Sequence, residues 1–167
     1  MYTQERLAFN SEAERHRPRP SPASFSWVSV KLVREKPAGY APAVRTPQDA
    51  YEVVRSLGME ENDREVVVAI LLGTKNQVNG VHVVSVGTLN SAPVHPREVF
   101  KAALLANAAA LILVHNHPSG DPTPSRQDLE LARQIREAGE LLGVSLLDFL
   151  VIGFEEYVSL KEEGQLA

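Results

Sequence analysis

The sequence predicts an α/β fold in which one mixed sheet carries helices packed against it. Two sequence patterns and the chain length indicate this class. Helical and strand patterns alternate along the chain, and the apolar run at residues 66–72 is typical of a central strand buried on both faces. The length of 167 residues suits one compact domain with a tail. The chain contains no cysteine, which excludes disulfides, thiolate metal ligands and a cysteine nucleophile.

Composition divides the chain into three parts. Residues 1–24 are polar and end in RHRPRPSPAS, whose prolines oppose both helix and sheet, so we expect a flexible tail. Residues 25–45 are expected to form a strand and a linker, because FSWVSVKLV at 25–33 alternates and is rich in β-branched and aromatic residues. The compact domain is predicted at residues 46–167.

The domain is predicted to open with a helix and two strands. Thr46-Pro47-Gln48-Asp49 combines a capping threonine, a proline at the first helical position and an acid in the first turn. The buried strand at 66–72 follows, and TKNQVNG supplies a turn. VHVVSVG then returns as a second strand.

The second half is predicted to contain two helices and three strands. His95 opens a helix, and ALILV at 110–114 is a short buried strand. Ser125 is the expected cap of a helix that runs to about Leu142. Its apolar face would hold Leu131, Ile135, Ala138 and Leu142. VSLLDFLVIG and YVSL are the closing strands.

Two histidines and an aspartate form the chemically informative group. His115 and His117 follow the strand at 110–114, and alternate side chains of an extended chain lie on one face. Pro118 favours extended geometry in the residue before it. Asp128 lies on the first turn of the next helix, from where its carboxylate can face both rings. Two imidazoles and one carboxylate leave a fourth zinc position for water, as in catalytic sites.

An open zinc site predicts hydrolysis, because zinc lowers the pKa of a bound water from about 16 to near 7 and polarises a carbonyl. Such a site also needs a base for the proton of the water, and glutamate is the usual choice. Other classes fit less well. A zinc deaminase needs cysteine ligands, the HExxH protease motif is absent, and the HNH nuclease motif extends over a longer ββα unit.

These residues resemble a known signature. His115-Asn116-His117-Pro118, followed by Ser125 and Asp128, matches the H-x-H-x(7)-S-x-x-D motif of JAMM/MPN zinc metalloproteases. HNHPSGDPTPS, together with NSAPVHPREVFKAAL, is similar to the RadC-like branch of that family. The resemblance runs from about Thr46 to Leu160.

The resemblance implies a deaminase-like α/β domain that binds one zinc ion. The implied ligands are His115, His117 and Asp128. It also implies that Ser125 helps to stabilise the oxyanion and that an upstream glutamate acts as the base. The family places this glutamate at the start of the first central strand, which corresponds to Glu65. Glu98 is the second choice and Glu61 the third.

The chain departs from the family at two places. Typical RadC-like proteins have an N-terminal region of helix-hairpin-helix character, whereas residues 1–45 are unrelated to it, so a DNA-binding module is not implied. The family also tends to have Asp-His in the late strand, where this chain has Asp148-Phe149. Any supporting role of that histidine is therefore missing.

Structural roles are the alternatives for several of these residues. Ser125 and Asp128 also form a capping-box pattern, which competes with zinc for the carboxylate. Glu65 is equally consistent with a solvated charge beside a strand. His82 and His95 are expected to be structural, with His95 capping a helix. Asp121 is expected to form a turn.

Three functions remain open. The first is a zinc-dependent hydrolase of amide or isopeptide bonds in a peptide or protein substrate. The second is a DNA-repair or mobile-element accessory protein without significant hydrolase activity, supported locally by the basic cluster at residues 15–19. The third is a scaffold that keeps zinc for folding. The lack of cysteine, signal peptide and long apolar run predicts a cytoplasmic protein with no membrane partner.

Overall fold

The computed structural model describes residue 26 and residues 28–33, 43–87 and 94–166. The predicted tail at 1–24 lies outside the described residues. The predicted strand at 25–33 is wrong for its described part, because residues 28–33 have no regular secondary structure. Their side chains are exposed, with Val28 at 85%. An alternating pattern stabilises a strand only when a neighbouring strand and a core take up its backbone and apolar face.

Among the described residues, three α-helices begin where their capping signals predict. Thr46 and Ser125 each accept a hydrogen bond from the third helical residue, whose carboxylate in turn accepts from the cap backbone. His95 occupies the cap of the second helix but makes no side-chain cap hydrogen bond. The part of the chain that the structure describes has no helix long and apolar enough to cross a membrane. The helices are α1 (Pro47–Arg55), α2 (Pro96–Leu105) and α3 (Arg126–Leu142).

In the described part of the chain, five strands form the predicted mixed sheet. The strands are β1 (Val66–Leu72), β2 (Val78–Val86), β3 (Ala110–Asn116), β4 (Ser145–Ile152) and β5 (Tyr157–Ser159). Their order in the sheet is β2-β1-β3-β4-β5. Only β3 and β4 are parallel, joined by α3 as the crossover. The α/β class with helices on one mixed sheet is therefore confirmed.

Helices cover both faces of the sheet. On β1, Val67, Ala69 and Leu71 face a core that also contains residues of α2 and α3. The alternate residues Val66, Val68, Ile70 and Leu72 face a second core that contains residues of α1. All residues of β1 and β3 are consequently buried, which explains why both strands are almost continuously apolar.

The buried stripe of α3 is rotated from the predicted one. It consists of Asp128, Ala132, Ile135 and Gly139, spaced as one helical face requires. Leu142, predicted on this face, is 45% exposed. The sequence prediction considered apolar residues alone. It therefore omitted Asp128 and placed the buried face about one residue away along the helix. This polar residue is buried, and it turns the start of the helix toward β3.

Tyr51 joins α1 to the short turn that precedes β1. Its ring is buried and lies 5.0 Å from that of Tyr157 on β5, and its hydroxyl donates a hydrogen bond to the Glu60 carboxylate. Burial, and then the bond to Glu60, raises the pKa of Tyr51 to about 12 from an ordinary value near 10. The fold therefore favours the neutral phenol.

Tyr51→Phe is expected to lower the free energy of unfolding by about 1 kcal/mol at pH 7, because one hydrogen bond is lost. The raised pKa gives the sign of the pH dependence. The phenol's contribution is complete below about pH 10 and disappears as the pH rises through about 12. Urea denaturation of both proteins at pH 7, 10 and 11.5 should show the difference between them shrinking. A constant difference would contradict this account.

Candidate metal centre

Strand pairing brings the site together. β1 and β3 are antiparallel, with Val67 opposite His115, so the start of β1 lies beside the end of β3. Glu65 directly precedes β1 and His117 directly follows β3. Side chains from sequence positions about fifty residues apart therefore meet at one edge of the sheet. The start of α3 closes this edge.

The structure brings the three predicted metal ligands into one group. One potential ligand atom from each of His115, His117 and Asp128 lies within 4.8 Å of the other two. The imidazole rings are 4.9 Å apart between centroids and nearly perpendicular. His115 and Asp128 are buried, and His117 is partly buried. The side chains thus converge in a place largely closed to solvent.

In each histidine, the Nδ1 atom of the ring lies within hydrogen-bond distance of an oxygen atom. His115 Nδ1 lies 2.8 Å from Asp128 Oδ1, and His117 Nδ1 lies 2.8 Å from the backbone oxygen of Asp121. Because these oxygens only accept, each Nδ1 donates, and each Nε2 keeps its lone pair when the ring is neutral. His115 Nε2 is buried without a hydrogen-bond partner among the described residues.

The two Nε2 atoms face carboxylates. That of His115 lies 3.4 Å from Glu65 Oε2, and that of His117 lies 3.5 Å from Asp128 Oδ2. A buried lone pair opposite a carboxylate is unfavourable unless a positive charge lies between them. A metal cation would supply that charge and would satisfy the unpaired His115 nitrogen. Two imidazole nitrogens and a carboxylate oxygen are also ligands that zinc accepts, so the residues fit a zinc ion.

The Asp128 carboxylate serves the helix and the histidines at once. Oδ2 accepts hydrogen bonds from the backbone N–H and the hydroxyl of Ser125, which completes the capping box. Oδ1 faces His115. Oδ2 lies 3.5 Å from His117 Nε2 as well, so capping and the candidate metal site share this oxygen, while Oδ1 pairs with His115 Nδ1. Burial acts to raise the pKa of Asp128, but the hydrogen bonds from His115 and Ser125, together with the nearby His117 ring, outweigh it and hold that pKa far below its ordinary value.

Charge in the group also acts on His117. The Asp128 carboxylate beside Nε2 favours the protonated ring and raises the pKa of His117, against the opposing effect of burial, and the Asp121 backbone oxygen adds to the increase. Asp121 has the turn-forming role predicted for it, because its Oδ1 accepts from the backbone N–H of Thr123 at 2.9 Å. The same residue therefore shapes the loop and supports a histidine.

The remaining predicted residues lie in different surroundings. Glu65 has a side chain only 14% exposed beside His115, whereas Glu98 is exposed and pairs with Lys101 and Arg97. Lys101 holds the pKa of Glu98 below its ordinary value. Glu61 is exposed in the 3-10 turn Met59–Glu61. Of the three glutamates considered as the base, Glu65 is the one that contacts the group.

The other two histidines lie outside the group. His82 is on β2, where burial and then the charge of Lys101 lower its pKa. His95 is exposed at the start of α2. Phe149 stands where the family tends to have a histidine. It is fully buried opposite Leu113, in the core shared with α2 and α3. The chain uses this position for packing.

Asn116 has a role that the sequence analysis missed. Its side chain is buried and bonds to the backbone at the start of β1. Oδ1 accepts from the backbone N–H of Val66 at 2.6 Å, and Nδ2 donates to the backbone oxygen of Arg64 at 3.0 Å. One amide therefore holds the backbone on both sides of Glu65. The only sequence signal was the alternation of side chains in an extended chain, which places Asn116 on the face opposite to its histidine neighbours.

Asn116→Ala is expected to lower the free energy of unfolding by about 1–3 kcal/mol, because the buried N–H of Val66 loses its acceptor. Urea denaturation measures this loss. Asn62→Ala is the matched control, since Asn62 is exposed and its amide donates only to the nearby Met59 oxygen. The control should change stability by less than about 1 kcal/mol. Equal losses in the two variants would contradict the assigned role.

Comparison with known proteins identifies the family of this domain. Residues 44–165 match the family described as RadC-like JAB domain. A UPF0758 protein of Desulforudis audaxviator is 54% identical over 129 residues, which cover 77% of this chain and 56% of the relative. UPF0758 proteins of Bacillus pumilus and Methanosarcina mazei are 52% and 48% identical, over 74% and 72% of this chain and 54% and 52% of their own lengths.

The chain thus spans about half the length of these relatives. The matched region includes all five strands, the three helices and the group formed by His115, His117 and Asp128. The expected resemblance to the RadC-like branch is confirmed, and the chain belongs to the family of RadC-like JAB domains.

Proposed function

We propose that this domain is a zinc-dependent hydrolase of peptide or isopeptide bonds. The observation that carries the proposal is the convergence of His115, His117 and Asp128 within 4.8 Å, with the Glu65 carboxylate beside them. Membership of the RadC-like JAB family supports it, since the resemblance to JAMM metalloproteases implies this chemistry for the same residues. Burial of the group favours chemistry over a solvated surface charge.

In this proposal His115, His117 and Asp128 hold the zinc. Bound zinc would polarise a substrate carbonyl and lower the pKa of a water molecule. Glu65 accepts the proton of the attacking water and passes it to the leaving amine. Its side chain is only 14% exposed, and Asn116 fixes the backbone on both sides of it.

Ser125 is the proposed donor to the oxyanion. Its hydroxyl donates to Asp128 Oδ2 at 2.6 Å, so the group must rotate before it can serve a substrate. After this rotation, the hydroxyl oxygen of Ser125 would still accept the hydrogen bond from the backbone N–H of Asp128 at 3.2 Å, so the helix would keep its cap. A single hydroxyl can therefore support both the helix start and the developing negative charge.

The two other functions have less support. The basic cluster on which DNA binding depends lies outside the described residues, so this alternative stays a prediction. A zinc scaffold without activity would need the three ligands alone. It gives no reason for a nearly buried glutamate to face His115 at 3.4 Å. The position of Glu65 therefore favours a hydrolase.

His117→Ala is expected to reduce bound zinc from about one ion per chain to less than a tenth of that, because two ligands bind zinc far less tightly than three. Elemental analysis of the purified proteins measures the ratio. His95→Ala is the matched control, since His95 is exposed at the start of α2. The control should keep the wild-type zinc content. Equal zinc in wild type and His117→Ala would end the proposal.

Glu65→Gln is expected to keep its zinc but to lose about 10²- to 10⁴-fold in hydrolysis, because the amide cannot accept the proton. Mass spectrometry of a library of peptides and isopeptide-linked peptides, incubated with zinc-loaded protein, measures the cleavage. Glu98→Gln is the control and should cleave like wild type, as Glu98 pairs with Lys101 away from the group. A fully active Glu65→Gln variant would exclude Glu65 as the base.

A further inference from the structure

The loop between β3 and α3 is held against the turn between β4 and β5 by backbone hydrogen bonds. Phe154 donates its backbone N–H to the Gly120 oxygen at 3.2 Å, and His117 donates its own to the Ile152 oxygen at 2.8 Å. Gly153 lies between these two bonds. The loop and the turn thus form one unit beside the metal centre.

The closest contact depends on the missing side chain of Gly153. A Cβ atom added there would lie 2.1 Å from the Gly120 backbone oxygen and 2.7 Å from its carbon, and it would also approach the ring of Pro122. Real Cβ atoms do not come this close to a backbone atom, so the loop would have to move by about 1 Å. The backbone φ of Gly153 is not in the left-handed region, so the clash alone excludes a larger residue.

The contact is linked to a metal ligand through one peptide. The carbonyl held by the turn belongs to Gly120, and the next carbonyl, that of Asp121, accepts the hydrogen bond from His117 Nδ1 at 2.8 Å. A second hydrogen bond orients Asp121, because its side chain accepts from the backbone N–H of Thr123. A shift of Gly120 would carry the Asp121 carbonyl with it and release the ring of His117.

We propose that Gly153 is a positioning residue for His117: its lack of a side chain lets the β4–β5 turn press on Gly120 and hold the Asp121 carbonyl against His117 Nδ1. The inference rests on the proposed zinc site. It extends that site to a residue thirty-six positions from the ligand it orients. Groups that orient a metal-binding histidine typically change metal affinity by about 10- to 100-fold when they are lost.

The test compares the zinc affinity of folded variants by competition with a chromogenic chelator. Gly153→Ala should bind zinc about 10- to 100-fold more weakly than wild type. Gly80→Ala is the matched control, because a Cβ there would meet nothing within 4 Å, and it should bind like wild type. Circular dichroism and thermal melting establish that each variant is folded. A folded Gly153→Ala protein with wild-type affinity would overturn the proposal.

A second pair of variants decides the question if Gly153→Ala does not fold. Asp121→Ala removes the acceptor that shapes the loop, whereas Asp121→Asn keeps an acceptor oxygen and removes the same charge. Asp121 is exposed, so both proteins should fold. Metal-free ring spectra of both variants show whether the Asp121 carbonyl still holds the proton of His117 Nδ1. Zinc binding about tenfold weaker in a variant that loses this proton preference supports the proposal. Loss of the preference with unchanged zinc affinity would overturn it, because the carbonyl would then have no effect on the metal ligand.

A metal-free measurement separates this inference from the proposed function. Long-range ¹H–¹⁵N spectra of the ring nitrogens, at a pH where the ring is neutral, should show His117 protonated at Nδ1 in the wild type. Gly153→Ala should lose that preference, and Gly80→Ala should keep it. If the wild type shows the preference but binds no zinc, the proposed function fails and the positioning role stands. An unchanged spectrum in Gly153→Ala would reject the positioning role.

Discussion

The carboxylate of Asp128 is the interaction on which the arrangement depends. It closes the capping box of α3 through one oxygen and meets His115 at the end of β3 through the other. This link sets the rotation of α3, so that Asp128 continues the apolar stripe at Ala132 and Ile135. Helix, strand and candidate metal centre therefore share one group. Because that group is buried, it must stay paired to be tolerated.

Much of the fold follows from local signals. The continuous apolar runs of β1 and β3 indicated strands buried on both faces, and helices on both sides of the sheet supply that burial. Thr46 and Ser125 indicated two helix starts, because their capping hydrogen bonds involve residues only three positions away. The segment at 25–33 shows the limit of such signals. Its alternation is as regular as that of β2, yet residues 28–33 form no strand, because a strand also requires a neighbour.

The metal ligands could be predicted from the sequence for a geometric reason. The residues that position the ligands and Glu65 could not. His115 and His117 share a face because they alternate along an extended chain, and Asp128 follows after one stiff loop. Asn116 and Gly153 act across the fold instead. The first reaches the backbone around Glu65 from fifty positions away, and the second presses on Gly120 from another turn. Contacts between a side chain and a distant backbone leave no periodic pattern, so no spacing predicts them.

The proposed function depends on the binding of one zinc ion by His115, His117 and Asp128. Anomalous X-ray scattering above and below the zinc absorption edge, from crystals of the full chain grown with zinc, is the decisive experiment. We expect one strong anomalous peak at roughly 2.0–2.2 Å from a ring nitrogen of each histidine and from an Asp128 oxygen. A peak bound elsewhere with this group empty, or no peak at zinc concentrations that saturate the protein, would contradict it.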